Sequence, residues 1–149
     1  MRCGEEGFTL LELLLVISIL VLSLSAVSSF FNSSSTGTEL KTAALLTASR
    51  LRDSRVAAMN SHSERVVHLD MKTRQIRFGD GRAALELKRI IDVEVVAADD
   101  ERQSATTAGI RFYPNGSSSG ATITLNAKGQ AYEIRVNWLT GRVSTGMVR

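Results

Sequence analysis

Residues 7–20, GFTLLELLLVISIL, begin the apolar run that decides the architecture of this chain. From position 13 to 31 the sequence contains no charged residue, no proline and no glycine. As an α-helix, residues 8–26 would be about 28 Å long, close to the roughly 30 Å of a bilayer hydrocarbon core. The run therefore predicts one membrane-spanning helix, and the carboxylate of Glu12 within it needs an explanation.

A conventional secretory signal peptide, cut before Ala26, is the alternative interpretation of this run. The stretch before the run carries two glutamates beside one arginine, and Glu12 adds a charge that a signal peptide does not use. A carboxylate at the bilayer centre costs on the order of 2.5–3.5 kcal/mol. Near the start of a helix the cost is smaller, because the helix dipole favours a negative charge there.

Glu12 has no cationic side chain within one helical turn downstream. Cleavage after Gly7 would create an α-amino group on Phe8, about 6 Å from Glu12 along the helix axis. The amine of one copy could then neutralise the carboxylate of a neighbouring copy. The sequence thus suggests a counter-charge that arises only after processing.

The same stretch resembles the class III leader and N-terminal helix of type IV pilins and type II secretion pseudopilins. The resemblance implies cleavage between Gly7 and Phe8 by a prepilin peptidase, followed by N-methylation of Phe8. It also implies that Glu12 pairs with the N-terminus of an adjacent subunit during filament assembly.

A serine-rich stretch, 28–41, is the clearest boundary in the chain. Thr36 and Glu39 have the spacing of a capping box, which predicts a helix over about 38–60. One face of that helix is expected to be buried. Its members are Leu40, Ala44, Thr47, Leu51 and Ala58. Two options stay open: a break at 32–37, or one long helix continuing through it.

Beyond residue 60 the hydrophobic period changes from 3.6 to 2, which predicts strands. The predicted strands are 64–70, 73–79, 83–88, 90–98, 109–114, 120–127, 131–139 and 141–148. Tight turns at 79–81, 115–116, 128–129 and 140–141 favour antiparallel pairing. The polar stretch 97–109 is expected to be a mobile loop.

The expected fold class is α+β, with an N-terminal hydrophobic helix packed on an antiparallel sheet or small sandwich of the pilin-like kind. The helix would have a transmembrane half and an amphipathic half. Alternation along the later strands predicts that Ile123, Leu125, Ile134, Val136 and Trp138 face the core. The expected organisation is a leader at 1–7, a transmembrane helix at 8–30, a junction and amphipathic helix at 31–60, and an antiparallel β domain at 61–149.

The last third of the chain has a proline- and glycine-containing loop followed by a strand and a Thr-Gly-Arg turn. The residues of this pattern are Phe112, Pro114, Gly116, Gly120, Gly141 and Arg142. In this pattern the chain resembles H-type minor pseudopilins of type II secretion, the GspH/FimT-like family. Together with the N-terminus, the resemblance covers most of the chain, and residues 61–109 match only in general character.

No catalytic or metal constellation emerges from the sequence, so no enzyme activity, metal or cofactor is expected. His62 and His68 are too isolated to define a zinc site, and the single cysteine, Cys3, excludes an intramolecular disulfide. The serines lack a nucleophile elbow. The acidic run 99–101 lacks the spaced ligands of a calcium loop, and the 115–120 loop precedes no helix that would cradle a phosphate.

The net charge of +3 is well short of a nucleic-acid signature. The densest basic set, Arg50, Arg52 and Arg55, is interpreted as a solvated helix face rather than a phosphate-binding patch. Minor pilins of the resembling family include DNA-uptake proteins, but Arg142 and Arg149 alone offer too few phosphate contacts. Nucleic acid is therefore not expected as a partner.

The leading hypothesis is a non-enzymatic minor pseudopilin at or near the tip of a type II secretion pseudopilus, which helps to export folded proteins across the outer membrane. The resemblance implies a single-pass inner-membrane protein whose C-terminal domain lies in the periplasm. Its expected partners are other major and minor pseudopilins, the prepilin peptidase and inner-membrane lipid. The alternatives are a minor type IV pilin serving pilus priming or DNA uptake, and a secreted β-sheet binding protein.

Overall fold

The computed structural model describes residues 9–97, 102–104 and 106–148, with the backbone alone for 25–35 and 102–104. Gly7, Phe8, the acidic run 99–101 and Arg149 lie outside the described residues. The chain divides into two units, Met1–Ser35 and Thr36–Arg149.

One helix, α1, runs over Leu10–Ser61 in the described part of the chain. It is assigned without interruption across 32–37, so the option of a break is wrong and Thr36 is not a cap. Thr36 and Leu40 are buried in the second unit, and this packing holds a serine- and glycine-containing stretch in the helix. A Cβ on Gly37 would lie 2.8 Å from Oε1 of Gln130, the far end of an exposed and flexible side chain that can move aside.

The N-terminal part of α1 exposes its large apolar side chains, which run from Leu10 to Leu24. Among the described residues, no helix meets the length and hydropathy of a membrane span.

Nine strands follow the helix in the described residues. They are β1 Arg65–Asp70, β2 Gln75–Arg77, β3 Leu85–Glu86, β4 Asp92–Ala97, β5 Arg102–Ser104, β6 Thr107–Phe112, β7 Ala121–Ala127, β8 Gln130–Val136 and β9 Val143–Val148. They form a five-stranded sheet in the order β3-β2-β1-β6-β5 and a four-stranded sheet in the order β4-β7-β8-β9. Every pairing between these strands is antiparallel, which confirms the predicted α+β class.

The stretch 97–109 is not wholly a loop, contrary to the sequence prediction. It contains β5 and the start of β6, which pair through Arg102↔Ala108 and Ser104↔Thr107. Its polar composition suggested a loop, but an edge strand such as β5 has a neighbour on one side only and tolerates polar residues.

The core is one cluster formed by α1 and both sheets, and it contains four residues of the predicted helical stripe, Leu40, Ala44, Leu51 and Ala58. The fifth, Thr47, is also buried, as a polar residue. The predicted alternation is also confirmed at Ile123, Leu125, Ile134 and Val136. It is wrong for Trp138, which is 65% exposed. β8 ends at Val136, so its alternation no longer governs a residue in the following turn.

Candidate functional site

Glu12 lies in the first turn of α1 and is exposed. Thr9 precedes the helix, and its Oγ1 accepts a hydrogen bond from the Glu12 backbone N–H at 3.2 Å. The Thr9 carbonyl accepts from the Leu13 N–H at 3.2 Å. Thr9 is therefore the N-cap and Glu12 the third helical residue, which is a favourable place for a carboxylate.

Of the two Thr-x-x-Glu patterns in the helical region, at 9–12 and at 36–39, only the first caps a helix. The spacing of Thr36 and Glu39 predicts a capping box, yet Thr9 and Glu12 have the same spacing and stand where the helix begins. The Thr-x-x-Glu pattern at 9–12 was a signal in the sequence that could have located the cap.

The 113–120 loop is built around a tight turn over Tyr113–Gly116. The Gly116 N–H donates to the Tyr113 carbonyl at 2.9 Å, with Pro114 and Asn115 at the central positions. Pro favours the first central position, because its ring presets the required φ. Gly116 has φ +84°, and a Cβ there would lie 3.1 Å from an Arg55 guanidinium nitrogen.

Two further loop residues fix the return of the chain into β7. Phe112 is buried at the end of β6, and Ser118 Oγ donates to the Arg111 carbonyl at 2.8 Å. Gly120 has φ +79°, and a Cβ there would lie 3.0 Å from the Trp138 Cβ. The motif residues therefore allow the backbone to pass close to its neighbours.

The turn 137–142 joins β8 to β9 and is held by the side chain of Asn137. Its Oδ1 accepts hydrogen bonds from the Leu139 N–H at 3.1 Å and from the Thr140 N–H at 2.9 Å. The Asn137 N–H donates to the Arg142 carbonyl at 3.0 Å, which closes the turn. Arg142 itself is exposed.

Arg55 joins the loop and the turn to α1, and sequence reasoning missed this role. Its Nε donates to the Gly116 carbonyl at 2.9 Å. Gly141 packs directly against this hydrogen bond. A Cβ there would overlap the Gly116 carbonyl oxygen and lie 2.8 Å from Arg55 Nε. The Ser118 N–H also donates to the Trp138 carbonyl at 2.8 Å. We call the 113–120 loop, the 137–142 turn and Arg55 the buttressed corner.

The interpretation of Arg50, Arg52 and Arg55 as a solvated face holds for Arg52, which is exposed, but not for Arg50 and Arg55, which are half-buried. Arg50 donates to the Ala83 carbonyl at 2.9 Å and lies over the Phe78 ring, and Arg52 donates to the Val143 carbonyl at 3.1 Å. At 3.6 residues per turn, Arg52 is rotated by about 200° from Arg50 around the helix axis, so the two side chains leave nearly opposite sides of the helix. One face could not hold all three arginines. That angle was available from the sequence.

The histidines do not form a metal site within the described residues, where no group of three potential metal ligands occurs. His68 lines a polar pocket with Asp70, Gln75, Arg77 and Thr107. Hydrogen bonds from Thr73 and from the Lys72 backbone hold the pKa of Asp70 below its usual value. The Asp70 carboxylate thus stabilises the turn after β1.

The fold and the N-terminus together define a pilin-like protein. Two solved structures of the minor pseudopilin EpsH from the type 2 secretion system of Vibrio cholerae match with TM-scores of 0.57 and 0.56. They are 16% and 15% identical, and each match covers 74% of this chain and 96% or 95% of theirs. At this identity the likeness shows the fold.

The family follows from the sequence matches. The model of type II transport protein GspH matches residues 48–141, more than half of the chain, and the prokaryotic N-terminal methylation motif matches residues 2–28. Type II secretion system protein H of Xanthomonas campestris pv. campestris is 27% identical over 144 residues, which cover 97% of this chain and 85% of that protein. The chain belongs to the GspH family and is a minor pseudopilin of type II secretion.

Proposed function

We propose that this minor pseudopilin is cleaved between Gly7 and Phe8, methylated on Phe8, and assembled through Glu12 near the tip of a secretion pseudopilus. The observation that carries the proposal is the position of Glu12. It is exposed in the first turn of a helix whose following apolar side chains are also exposed, within a matched methylation motif. A prepilin peptidase would make the cut.

The exposed apolar side chains of 10–24 support a place for the N-terminal helix in the inner membrane before assembly. Burying them in lipid, or among the helices of neighbouring subunits, would gain roughly 25 cal/mol per Å² of apolar surface. The β domain would then lie in the periplasm, where it meets other major and minor pseudopilins.

The charge on Glu12 gives assembly its direction in this proposal. In lipid an isolated carboxylate is costly, so a subunit gains when a cationic amine of a neighbour approaches. That amine is the Phe8 α-amino group, which does not exist before cleavage. Processing thereby separates storage in the membrane from incorporation into the filament, and the filament then helps to move folded cargo across the outer membrane.

Replacing Glu12 by Gln tests the proposal, because it removes the charge and keeps the shape. We expect cleavage and membrane retention to persist, while co-purification with the other pseudopilins and export of cargo both fall by about tenfold or more. Mass spectrometry should find N-methyl-phenylalanine at the N-terminus of both forms.

Glu64→Gln is the matched control, since Glu64 is an exposed acid that pairs with Arg111 at 2.7 Å in the β domain. It should leave incorporation unchanged. Normal incorporation of the Glu12→Gln protein would refute the assembly role, and a mature chain beginning at Ala26 would refute the processing.

A further inference from the structure

The four-stranded sheet ends at β9, and this edge differs from the other three sheet edges in the described part of the chain. β3 has only two residues, β5 has three and a shift of register, and β4 carries Asp92 and Glu94. Short length, irregularity and charge are the usual devices that keep an edge strand from pairing with another chain. β9 has six residues, pairs with β8 in an unbroken register, and contains no charge and no proline. It is therefore the edge that another strand can join.

The backbone groups of β9 that point away from β8 follow from the hydrogen bonds at its start. The Val143 carbonyl accepts a hydrogen bond from the Arg52 guanidinium at 3.1 Å and so points toward α1, whereas the carbonyl of the preceding residue points back toward the end of β8. Because this direction alternates along a strand, the N–H and carbonyl groups of Thr145 and Met147 also point away from β8. No hydrogen bond joins these groups to another described residue across the edge.

β9 runs along α1 in the opposite direction to the helix. At the start of β9, Val143 is bonded to Arg52. Near its other end, Gln130 at the start of β8 approaches α1 at Gly37. The exposed side of α1 that carries Arg52 therefore follows the outer edge of β9.

That side of α1 adds an apolar side chain to the edge. Leu45 precedes Arg52 by about 10 Å along the axis and is rotated from it by only about 20°. Met147 lies about 13 Å beyond Val143 on β9, so it is nearly level with Leu45. Leu45 is 48% exposed and Met147 is 55% exposed. An apolar side chain on an added strand would shield both from water.

The charges around this edge have one sign. Arg142 stands at the start of β9, with Arg52 beside it. Lys41 lies on the same side of α1 about 16 Å before Arg52, level with Val148 at the far end of β9. The three cations are exposed, and none of them forms an ion pair with a described residue. A segment with acidic side chains at its ends would be attracted to this edge.

Gly146, in the middle of the free part of β9, gives a further indication of a partner. Its φ is not left-handed, and a Cβ there would meet nothing within 4 Å in the described part of the chain. Glycine inside a strand weakens it and often marks a place where another backbone approaches closely. A strand bonded to Thr145 and Met147 would bring the Cα atom opposite Gly146 to about 4.5 Å. The glycine thus leaves room for a large side chain of the partner.

We infer that the free edge of β9, from Thr145 to Val148, binds an extended segment of a different pseudopilin as an added strand. An apolar residue of that segment packs against Leu45 and Met147, and its acidic residues face the three cations. The inference rests on the proposed function and adds to it the surface through which the β domain meets its partner. An anionic membrane is a weaker match, because it would attract the cations but offers no backbone to pair with the edge.

Amide hydrogen exchange tests the inference without any substitution. The isotopically labelled full-length protein in neutral detergent is mixed in turn with each of the other full-length pseudopilins of the same secretion system. In the free protein the amides of Thr145 and Met147 should exchange fast, whereas those of Ser144 and Gly146 are bonded to β8 and should exchange slowly. The partner should slow exchange at Thr145 and Met147 by about tenfold or more. Slow exchange there in the free protein, or no change with any pseudopilin, would overturn the inference.

A lysine on the edge tests whether strand addition holds the partner. Met147→Lys introduces the charge that edge strands commonly use against pairing, and co-purification of the partner should fall about tenfold or more. Val96→Lys is the matched control, because Val96 is 66% exposed on β4 at the opposite edge of the same sheet. It should leave co-purification unchanged. Equal losses in the two variants would count against β9 as the binding edge.

Gly146→Val separates a role in folding from a role in binding. Valine suits a strand better than glycine, so the melting temperature of the free protein should rise. The added side chain should nevertheless weaken the complex about tenfold. A complex as strong as that of the parent would contradict the close approach at Gly146.

Reversal of two cations tests the charge complementarity. The double variant Lys41→Glu with Arg142→Glu should weaken the complex and reduce its sensitivity to salt. Arg89→Glu, at an exposed arginine between β3 and β4, is the control and should change neither. Equal effects of the double variant and the control would show that the cations do not face the partner.

Two other occupants of the edge are outcomes of the same exchange measurement. Slower exchange at Thr145 and Met147 on adding phosphatidylglycerol vesicles alone, or on raising the concentration of this protein alone, would assign the edge to a membrane or to a second copy and overturn the inference. The Glu12→Gln protein should still show the change caused by the partner, because its β9 is untouched. The role of Glu12 in assembly and the role of β9 in binding can thus fail separately.

Discussion

The two turns that flank β8 are both tight and both need a left-handed backbone, yet their surroundings differ. The β7–β8 turn has Lys128 at φ +46° and Gly129 at φ +77°, and a Cβ on Gly129 would meet nothing within 4 Å. The β8–β9 turn is supported by Arg55, the 113–120 loop and Asn137. The first turn only reverses the chain, whereas the second also fixes the position of exposed side chains.

Alanine substitution of one glycine in each turn should give the largest difference in stability between the two turns. Gly141→Ala adds left-handed strain and a clash with the Gly116 carbonyl and Arg55, and we expect a loss of about 2–4 kcal/mol in the free energy of unfolding. Gly129→Ala adds only the strain and should cost about 1 kcal/mol. Thermal unfolding of the sheet, followed by circular dichroism in detergent, measures both. Equal losses would show that the corner is no more constrained than the open turn.

Removing the arginine from the corner should have a smaller effect. Arg55→Ala loses a charged donor to the Gly116 carbonyl, and we expect a destabilisation of about 1–3 kcal/mol. Arg55→Lys keeps the charge but not the Nε donor, so it should recover only part of the loss. Arg89→Ala is the exposed control and should stay within about 0.5 kcal/mol of the parent in the same unfolding assay.

The smallest expected effect is a difference in pH dependence between the turn after β1, which is held by the charged Asp70, and the β8–β9 turn, which is held by the neutral Asn137. The Asp70 carboxylate accepts N–H groups of Lys72 and Thr73 at 2.9 and 3.0 Å, much as the Asn137 amide oxygen accepts those of Leu139 and Thr140. Because the pKa of Asp70 is lowered in the folded state, its stabilisation is present above the ordinary carboxyl value of 3.8 and is lost as the pH falls through the lower folded value.

Asp70→Asn should therefore remove part of the acid sensitivity of unfolding below about pH 4, while Asn137→Asp should add a new dependence on pH in that range. Melting temperatures between pH 3 and pH 7 measure both effects. An unchanged difference between parent and Asp70→Asn across this range would contradict the expectation.

The sequence allowed the fold class and most of the core to be predicted, because burial imposes a period. Leu40 and Leu51 on the helix, and Ile123 and Ile134 on the strands, are buried as their spacing required. Trp138 was misplaced because the period was extended past the end of β8. The sequence left a break at 32–37 and a continuous helix both open, and the helix is continuous because packing of Thr36 and Leu40 outweighs local propensity.

The site could be predicted only in part, for a different reason. The glycines of the loop and the turn are visible in the sequence, since glycine marks a backbone that must be left-handed or closely approached. Arg55 stands 61 residues before the carbonyl it binds, and no local pattern connects the two positions. The apolar pocket lined by Ala43, Leu85, Leu87 and Ile91 could not be predicted for the same reason, because it forms only where α1 meets the segment around β3.

The cap provided by Thr9 has a consequence for the maturation of this protein. The first turn of α1 is closed by the hydroxyl and carbonyl of Thr9, and neither group belongs to the peptide bond that joins Gly7 to Phe8. The proposed cut therefore changes the charge at the head of the helix without removing the atoms that start it. The precursor and the mature chain can begin α1 at the same residue, so a subunit waiting in the membrane would need no refolding to become competent for assembly.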